Sequence, residues 1–326
     1  MEKKLYLQLF GPNDVTLNTN LTTGLPDTMK TFYNTSLLEN ARNEHYFNQF
    51  GMKQPLPKNG GRTVEWRKFS TYAPATTALT EGTTPAGNTV TMTAITETIS
   101  QYGDFTTISD RLELEAVDPV IAAVTEEHGA QAGDTLDILT RNVVVGGSNV
   151  FYANGKTRNT LTSADVLTPT MIDQAVTFLK KKHAPTINGD YVCIIHPSVA
   201  YDLREQTDWI EAHKYAQPGE IYNGEIGKLH GVRFIEDSMQ KVYVNSNSSA
   251  VYATTFFGKD AWGIIEPSAQ SLEVIVKQRG SAGTSDPLDQ RSTVGWKAST
   301  AAKILYDDRL VIFETGSYFS NVDTAN

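Results

Sequence analysis

Arg62-Thr63-Val64-Glu65-Trp66-Arg67-Lys68-Phe69 alternates, with Val64 and Trp66 on one face and Glu65 and Arg67 on the other. That period of two marks a half-buried strand. A second strand is expected over Val90–Tyr102, dense in threonine at 89, 91, 93, 96 and 98. Its apolar set Val90, Met92, Ala94 changes phase at Ile95 and Ile99, which predicts a bulge or a twist. Between the two lies the polar stretch Ser70–Asn88, punctuated by Pro74, Gly82, Pro85 and Gly87. Two strands joined by so long a polar connection make an extended flap, and an isolated two-stranded ribbon is only marginally stable in water. The flap therefore needs a surface to lie on.

Upstream, Phe10–Pro26 is rich in Asn, Thr and Gly without a period and reads as an arm ordered by a neighbouring surface. Helical spacing follows from Met29 to Phe50 (Met29, Phe32, Tyr33, Leu37, Leu38, Ala41, Tyr46, Phe47), until Pro55, Pro57 and Asn59-Gly60-Gly61 break it. Downstream, Asp118 and Pro119 open the longest predicted helix. Val117, Val120, Ile121, Val124, His128, Ala132, Leu136, Leu139 and Val143 trace its apolar face, and Gly146-Gly147 stops it. Such a rod is about 40 Å long. Gly129 and Gly133 inside it each cost about 1 kcal/mol against alanine, so another backbone is expected to come close there.

A second helix runs from Thr168-Pro169 to Lys180-Lys181-Lys182, whose cations suit its C-terminal dipole. Tyr191–His196 reads as a strand buried on both faces, and Pro197-Ser198 starts another helix. Short β segments follow at Val232–Glu236, Val242–Val244, Ala250–Phe257, Trp262–Glu266 and Leu272–Lys277. A loop at Gly280–Gln290 leads to the closing strands Val294–Leu305 and Arg309–Glu314. The class is α+β.

The chain has 326 residues and 35.9 kDa, enough to bury a core without cross-links. Its one cysteine, Cys193, rules out an intrachain disulfide and a zinc site built on paired thiolates. With 28 basic and 37 acidic residues the formal charge is −9, which argues against a general nucleic-acid coat. Mean hydropathy is −0.32 and no apolar run reaches bilayer length. Met1–Phe10 puts charges ahead of a short apolar stretch but reaches Gly11-Pro12 with no small-residue cleavage site, so it reads as a poor signal peptide. The expectation is a chain made in a reducing cytosol.

No catalytic constellation survives inspection. Asn223-Gly224-Glu225-Ile226-Gly227-Lys228 resembles a phosphate loop, but Tyr222 stands where the first glycine belongs and Leu229 where the hydroxyl belongs, so a turn before Val232 is expected. Cys193 and His196 suggest a thiol and its base, yet three residues along a strand send them to opposite faces. Cys193 reads as packing and His196 as a satisfied strand-end residue. Asp104, Asp110, Glu113 and Glu115 alternate with apolar residues as a solvated face does. The six histidines contain no pair at helical metal-site spacing, and Arg67-Lys68 and Lys180–Lys182 are too short for a nucleic-acid footprint. No cofactor, metal or enzymatic activity is expected.

Several blocks resemble major capsid proteins of tailed bacteriophages, in the branch typified by coliphage N-four. They are Gln49-Phe50-Gly51-Met52-Lys53 with Pro57–Phe69; Leu79-Thr80-Glu81-Gly82 with Pro85; Gln101-Tyr102-Gly103; Ile195-His196-Pro197-Ser198 with Tyr201-Asp202-Leu203; and Gly224–Gly227 with Gly231–Phe234. The likeness runs from about residue 5 to 320. It implies a Hong Kong 97-type capsid fold: N-terminal arm (1–50), extension loop (51–110), peripheral domain with a spine helix (111–184), axial domain (185–290), and a return to the peripheral domain (291–326). It also implies self-assembly into pentamers and hexamers of an icosahedral head shell around double-stranded DNA, bound without sequence specificity. A portal and separate scaffolding or decoration proteins would be the partners, and assembly would occur in the bacterial host cytoplasm. With the strand already begun at Arg62, any scaffold is expected from another protein. The resemblance and the flap together put forward Trp66, Arg67, Thr80, Glu81, Gly82 and Pro85 as contacts between subunits, and Gly129 and Gly133 as spine-helix packing. The alternatives are an encapsulin-like nanocompartment shell, which would hold an enzyme cargo, and a hydrolase, which the missing nucleophile–base pair disfavours.

Overall fold

Strand pairing sorts the described residues into two sheets and one ribbon. The computed structural model describes residues 16–17, 46–57, 61–115, 120–213, 225–267, 272–281 and 286–326. Its strands are β1 (Thr16–Leu17), β2 (Met52–Leu56), β3 (Thr63–Phe69), β4 (Met92–Thr98), β5 (Ser100–Ser109), β6 (Val150–Tyr152), β7 (Tyr191–Ile195), β8 (Glu225–Leu229), β9 (Val232–Glu236), β10 (Val242–Val244), β11 (Ala250–Phe257), β12 (Trp262–Pro267), β13 (Glu273–Lys277), β14 (Arg291–Ile304) and β15 (Leu310–Thr315). The helices are α1 (Tyr46–Phe50), α2 (Asp110–Glu115), α3 (Val120–Val144), α4 (Pro169–Lys181), α5 (Pro197–Arg204) and α6 (Thr207–His213).

The first sheet runs β1–β5–β14–β12–β2, with β13 also on β14. Strand β14 holds it together: its first part pairs antiparallel with β5 from Arg291↔Ser109 to Thr300↔Ser100, and its end pairs with β12. Helix α3 lies on this sheet, with Ala132 and Leu136 against Trp296, Ala298, Tyr102 and Val274. A polar line reinforces the contact. Trp296 Nε1 donates to Gln131 Oε1 (3.0 Å), Gln131 Nε2 donates to Asp104 Oδ2 (2.7 Å), and His128 Nε2 bonds Thr106 Oγ1 (3.0 Å). Asp104 thus belongs to a helix–sheet contact, and the Gln131 bond holds its carboxyl below the usual range.

The second sheet runs β6–β15–β11–β7–β9–β8, with β10 on β11. β7, β11 and β15 are buried throughout, as continuous apolar runs require. α4 and α5 cover one face through Met171, Ile172, Leu179, Val199 and Leu203. On the other, Val192, Ile194 and Phe257 meet Phe47, Val144, Trp262 and Ile264, so one apolar cluster joins both sheets and the end of α3.

Several expectations change. The stretch Val90–Tyr102 is not one bulged strand: β4 pairs with β3, β5 pairs with β14, and Ile99 is the joint between them. The phase shift in the sequence marks a change of partner. Glu225–Leu229 is itself a strand, and the turn before Val232 is His230-Gly231, with φ of 51° and 80°, both positive as a two-residue hairpin demands. The closing segment divides, β14 joining the first sheet and β15 pairing with β11 in the second. The cap at Asp118-Pro119, Asn223-Gly224, and most of the arm lie outside the described residues; within the arm, Thr16 and Leu17 pair parallel with Ile108 and Ser109.

Candidate assembly interface

β3 and β4 pair with each other in register from Thr63↔Thr98 to Phe69↔Met92, and among the described residues with no other strand. The root of this ribbon is anchored. Trp66 lies over Gly263, where a Cβ would stand 3.0 Å from Trp66 Cζ2 and 3.1 Å from Leu305 Cδ1, so a larger residue there would have to push the indole or Leu305 aside by a few tenths of an ångström. Glu97 is bridged by Lys303 (2.9 Å), and Lys68 Nζ sits 4.4 Å from the centre of the Tyr306 ring. Trp66 Nε1 is buried without a hydrogen-bond partner, an unmet polar cost at the root.

Beyond the root the ribbon is bare. Every residue from 69 to 94 is exposed, including Phe69, Tyr72, Leu79 (78%), Val90 and Met92. Five large apolar side chains on one thin projection form a surface of the kind that contacts a partner. Thr83 N donates to Thr80 O (3.2 Å), making Thr80–Thr83 a turn with Glu81 and Gly82 at its centre. Gly82 has φ of 77°, the value a type II turn asks of its third residue.

The proposed contact residues therefore fall in two places. Trp66 and Arg67 are at the root, Trp66 facing the body and Arg67 exposed and bonded to Glu65 (2.8 Å). Thr80, Glu81, Gly82 and Pro85 share the exposed connection. Gly129 and Gly133 are buried in α3 beside His128 and Ala132.

The chemistry weighed from sequence is spent on structure. Cys193 is wholly buried, and burial pushes its thiol well up. His196 caps α5, its Nδ1 accepting from Ser198 N (3.2 Å), with its ring on Tyr252 at 4.8 Å. Burial lowers its basicity. Among the described residues no cluster of three or more His, Cys, Asp or Glu could hold a metal ion, and no helix is long and apolar enough to cross a membrane.

The sequence profile of phage capsid proteins matches residues 109–276, just over half of the chain. The chain belongs to the phage capsid protein family. It is a structural component of a bacteriophage virion. Its fold is similar to that of the cyanophage P-SCSP1u capsid, with a TM-score of 0.64 at 14% identity over 96% of this chain and 94% of that one. The capsid of Ralstonia phage GP4 gives 0.64 at 12% over 96% and 98%. A virus-like particle from Pyrococcus furiosus gives 0.52 at 9% over 87% and 99%. No curated protein matches the sequence.

Sequence reasoning missed the partners of the ribbon root, because Gly263, Lys303 and Tyr306 lie some 200 residues downstream and only tertiary pairing brings them in. It also missed the Arg158–Glu314 pair. Arg158 Nε donates to Glu314 Oε2 (2.7 Å) and Nη2 to Oε1, while the guanidinium stacks 3.8 Å from the Tyr243 ring centre.

Proposed function

We propose that this chain is the major capsid protein of a tailed phage, with the Hong Kong 97-type fold, and that copies of it assemble into the icosahedral head shell around double-stranded DNA. The exposed ribbon carries this reading. In a lone subunit it leaves Phe69, Tyr72, Leu79, Val90 and Met92 in water, and an adjacent copy would cover them. Obligate interfaces of that kind often exceed about 2,000 Å². In this assignment the ribbon within 51–110 is the extension loop, 1–50 the arm, α3 within 111–184 the spine helix, and 185–290 the axial domain. Of the return segment 291–326, β14 serves the peripheral sheet and β15 the axial one. The branch typified by coliphage N-four, a portal partner and separate scaffolding or decoration proteins belong to the same proposal, as does assembly in the host cytoplasm. The role is structural rather than enzymatic.

Negative-stain microscopy of the purified full chain tests it: closed shells are expected, and particles that stay monomeric under every assembly condition would overturn it. The rival is an encapsulin-like nanocompartment shell, which would hold an enzyme cargo. Contents separate the two, since the proposal requires nucleic acid inside particles recovered from infected cells.

A further inference from the structure

Alternate residues of β5, β14 and β13 face away from α3 and line an open trough of about 740 Å³. Three rows cross it. Gly103, Lys297 and Glu273 form the first, Phe105, Gly295 and Ile275 the second, and Thr107, Thr293 and Lys277 the third, with Arg291 two residues further along β14. The floor is bare at two places. A Cβ at Gly103 would stand 2.5 Å from Trp296 O, and one at Gly295 would stand 2.6 Å from Asp104 O, so backbone closes both positions to any side chain. Phe105, 68% exposed, and the half-buried Ile275 make the middle row apolar. One end is basic, with Lys277 and Arg291 exposed. The other charges there are engaged: Lys297 is bridged to Glu273 (3.3 Å), Asp104 accepts from Gln131 (2.7 Å), and Asp286 Oδ2 accepts from Arg291 N (2.8 Å).

The ribbon carries the complement. Between Lys68 and Glu97 its single charge is Glu81, inside the Thr80–Thr83 turn, and Leu79 stands two residues before it. Two residues of extended chain span about 7 Å, which is also the step from Ile275 to Lys277 on β13. Leu79 and Glu81 are both exposed in their own subunit, so a trough that takes them belongs to another copy. We propose that the Thr80–Thr83 turn of one copy seats in this trough of the next, with Leu79 against Phe105 and Ile275 and the Glu81 carboxylate between Lys277 and Arg291. The seat rests on the reading that copies assemble, and it names which surface of the neighbour receives the ribbon. The apolar row supplies contact area. The carboxylate fixes register along it, because a turn shifted by two residues would leave Glu81 desolvated without a cation.

Self-association of the full chain, followed by sedimentation velocity, reads this contact whether or not the oligomers close. Glu81→Lys should weaken association roughly tenfold or more by bringing like charges together, and Lys277→Glu combined with Arg291→Glu should do the same. All three changes together reverse both sides and should return association to within about threefold of wild type. The three side chains are exposed, so melting of the monomer should not change. Glu81→Cys with Lys277→Cys, in a chain whose own Cys193 is wholly buried, should join chain to chain in a ladder on oxidation. Glu81→Cys with Glu127→Cys, exposed on α3, should not. A swap that fails to restore association overturns the seat, as does an absent ladder, while closed shells in either case leave the shell reading standing. Cross-linked oligomers that never close uphold the seat and sink the shell, and a chain monomeric throughout overturns both.

Discussion

Deleting Thr76–Asn88 should separate folding from assembly. All of these residues are exposed, so the monomer loses almost no buried area. The Thr63–Phe69/Met92–Thr98 ladder, the Trp66 slot and the Lys303–Glu97 bridge all remain. The connection shortens from Ser70–Thr91 to a short loop, and closing it costs slightly less, by under about 1 kcal/mol. The melting temperature is therefore expected to stay within about 3 °C of wild type. Assembly loses more. Leu79 is 78% exposed in the single subunit, and burying a leucine is worth about 2 kcal/mol, so this side chain alone contributes roughly 1.5 kcal/mol per contact. That is over tenfold in each pairwise affinity, repeated around every capsomer. Sedimentation velocity with electron microscopy should show folded monomer and no shells, and Leu79→Asp should reproduce the defect in weaker form. Shells at wild-type yield would refute the reasoning, and so would a monomer melting more than 10 °C lower.

Other expectations follow from buried features. Gly133→Leu on α3 should overpack the helix by about 1–3 kcal/mol, offset in part by about 1 kcal/mol of helix propensity, and lower the melting temperature by a few degrees; unchanged melting would mean that nothing packs closely there. Arg158→Ala strands Glu314, which is 1% exposed, and should cost about 3–5 kcal/mol by denaturant titration, whereas Arg158→Lys should recover only part because the paired bonds and the ring stacking need a guanidinium. Asp165 accepts from Asn154, Lys156 and Thr162. Those bonds outweigh burial and hold its carboxyl at about 2, so its contribution is complete above pH 4 and lost as pH falls through 2. After allowance for solvent screening, Asp165→Asn should reduce the acid sensitivity of unfolding by roughly 1 kcal/mol over that window.

The parts legible in the sequence were those that local physics fixes. Val64 and Trp66 alternate because one face of β3 meets the body. The apolar run Tyr191–Ile195 is continuous because β7 is central. The long helix ends at Val144, just ahead of Gly146-Gly147 as read, and a Cβ at Gly147 would come within 2.9 Å of Leu310 Cδ2. What the sequence hid is carried by distant pairs. Nothing near Asp137 announces that it will be buried and bonded to the Asn48 amide 89 residues away, since an isolated Asp on a helix reads as solvent-facing. The division of Val90–Tyr102 between two partners was equally opaque, because both strands share one composition and only pairing distinguishes them. Ser70–Asn88 stood out as a polar connection, but the turn at Thr80–Thr83 and the bareness of the whole stretch required coordinates.

Were the ribbon to tilt against the body, the indole of Trp66 on Gly263 would be its pivot. Fifteen residues separate it from Glu81, so the far turn can stand up to about 50 Å away when extended. A tilt of about 2° at the pivot then displaces that turn by roughly 2 Å, about half the width of a side-chain pocket. Small changes in how that ring lies on Gly263 are thus magnified at the far turn, and enlarging residue 263 by a methyl group is expected to shift the turn while the β3–β4 ladder stays paired.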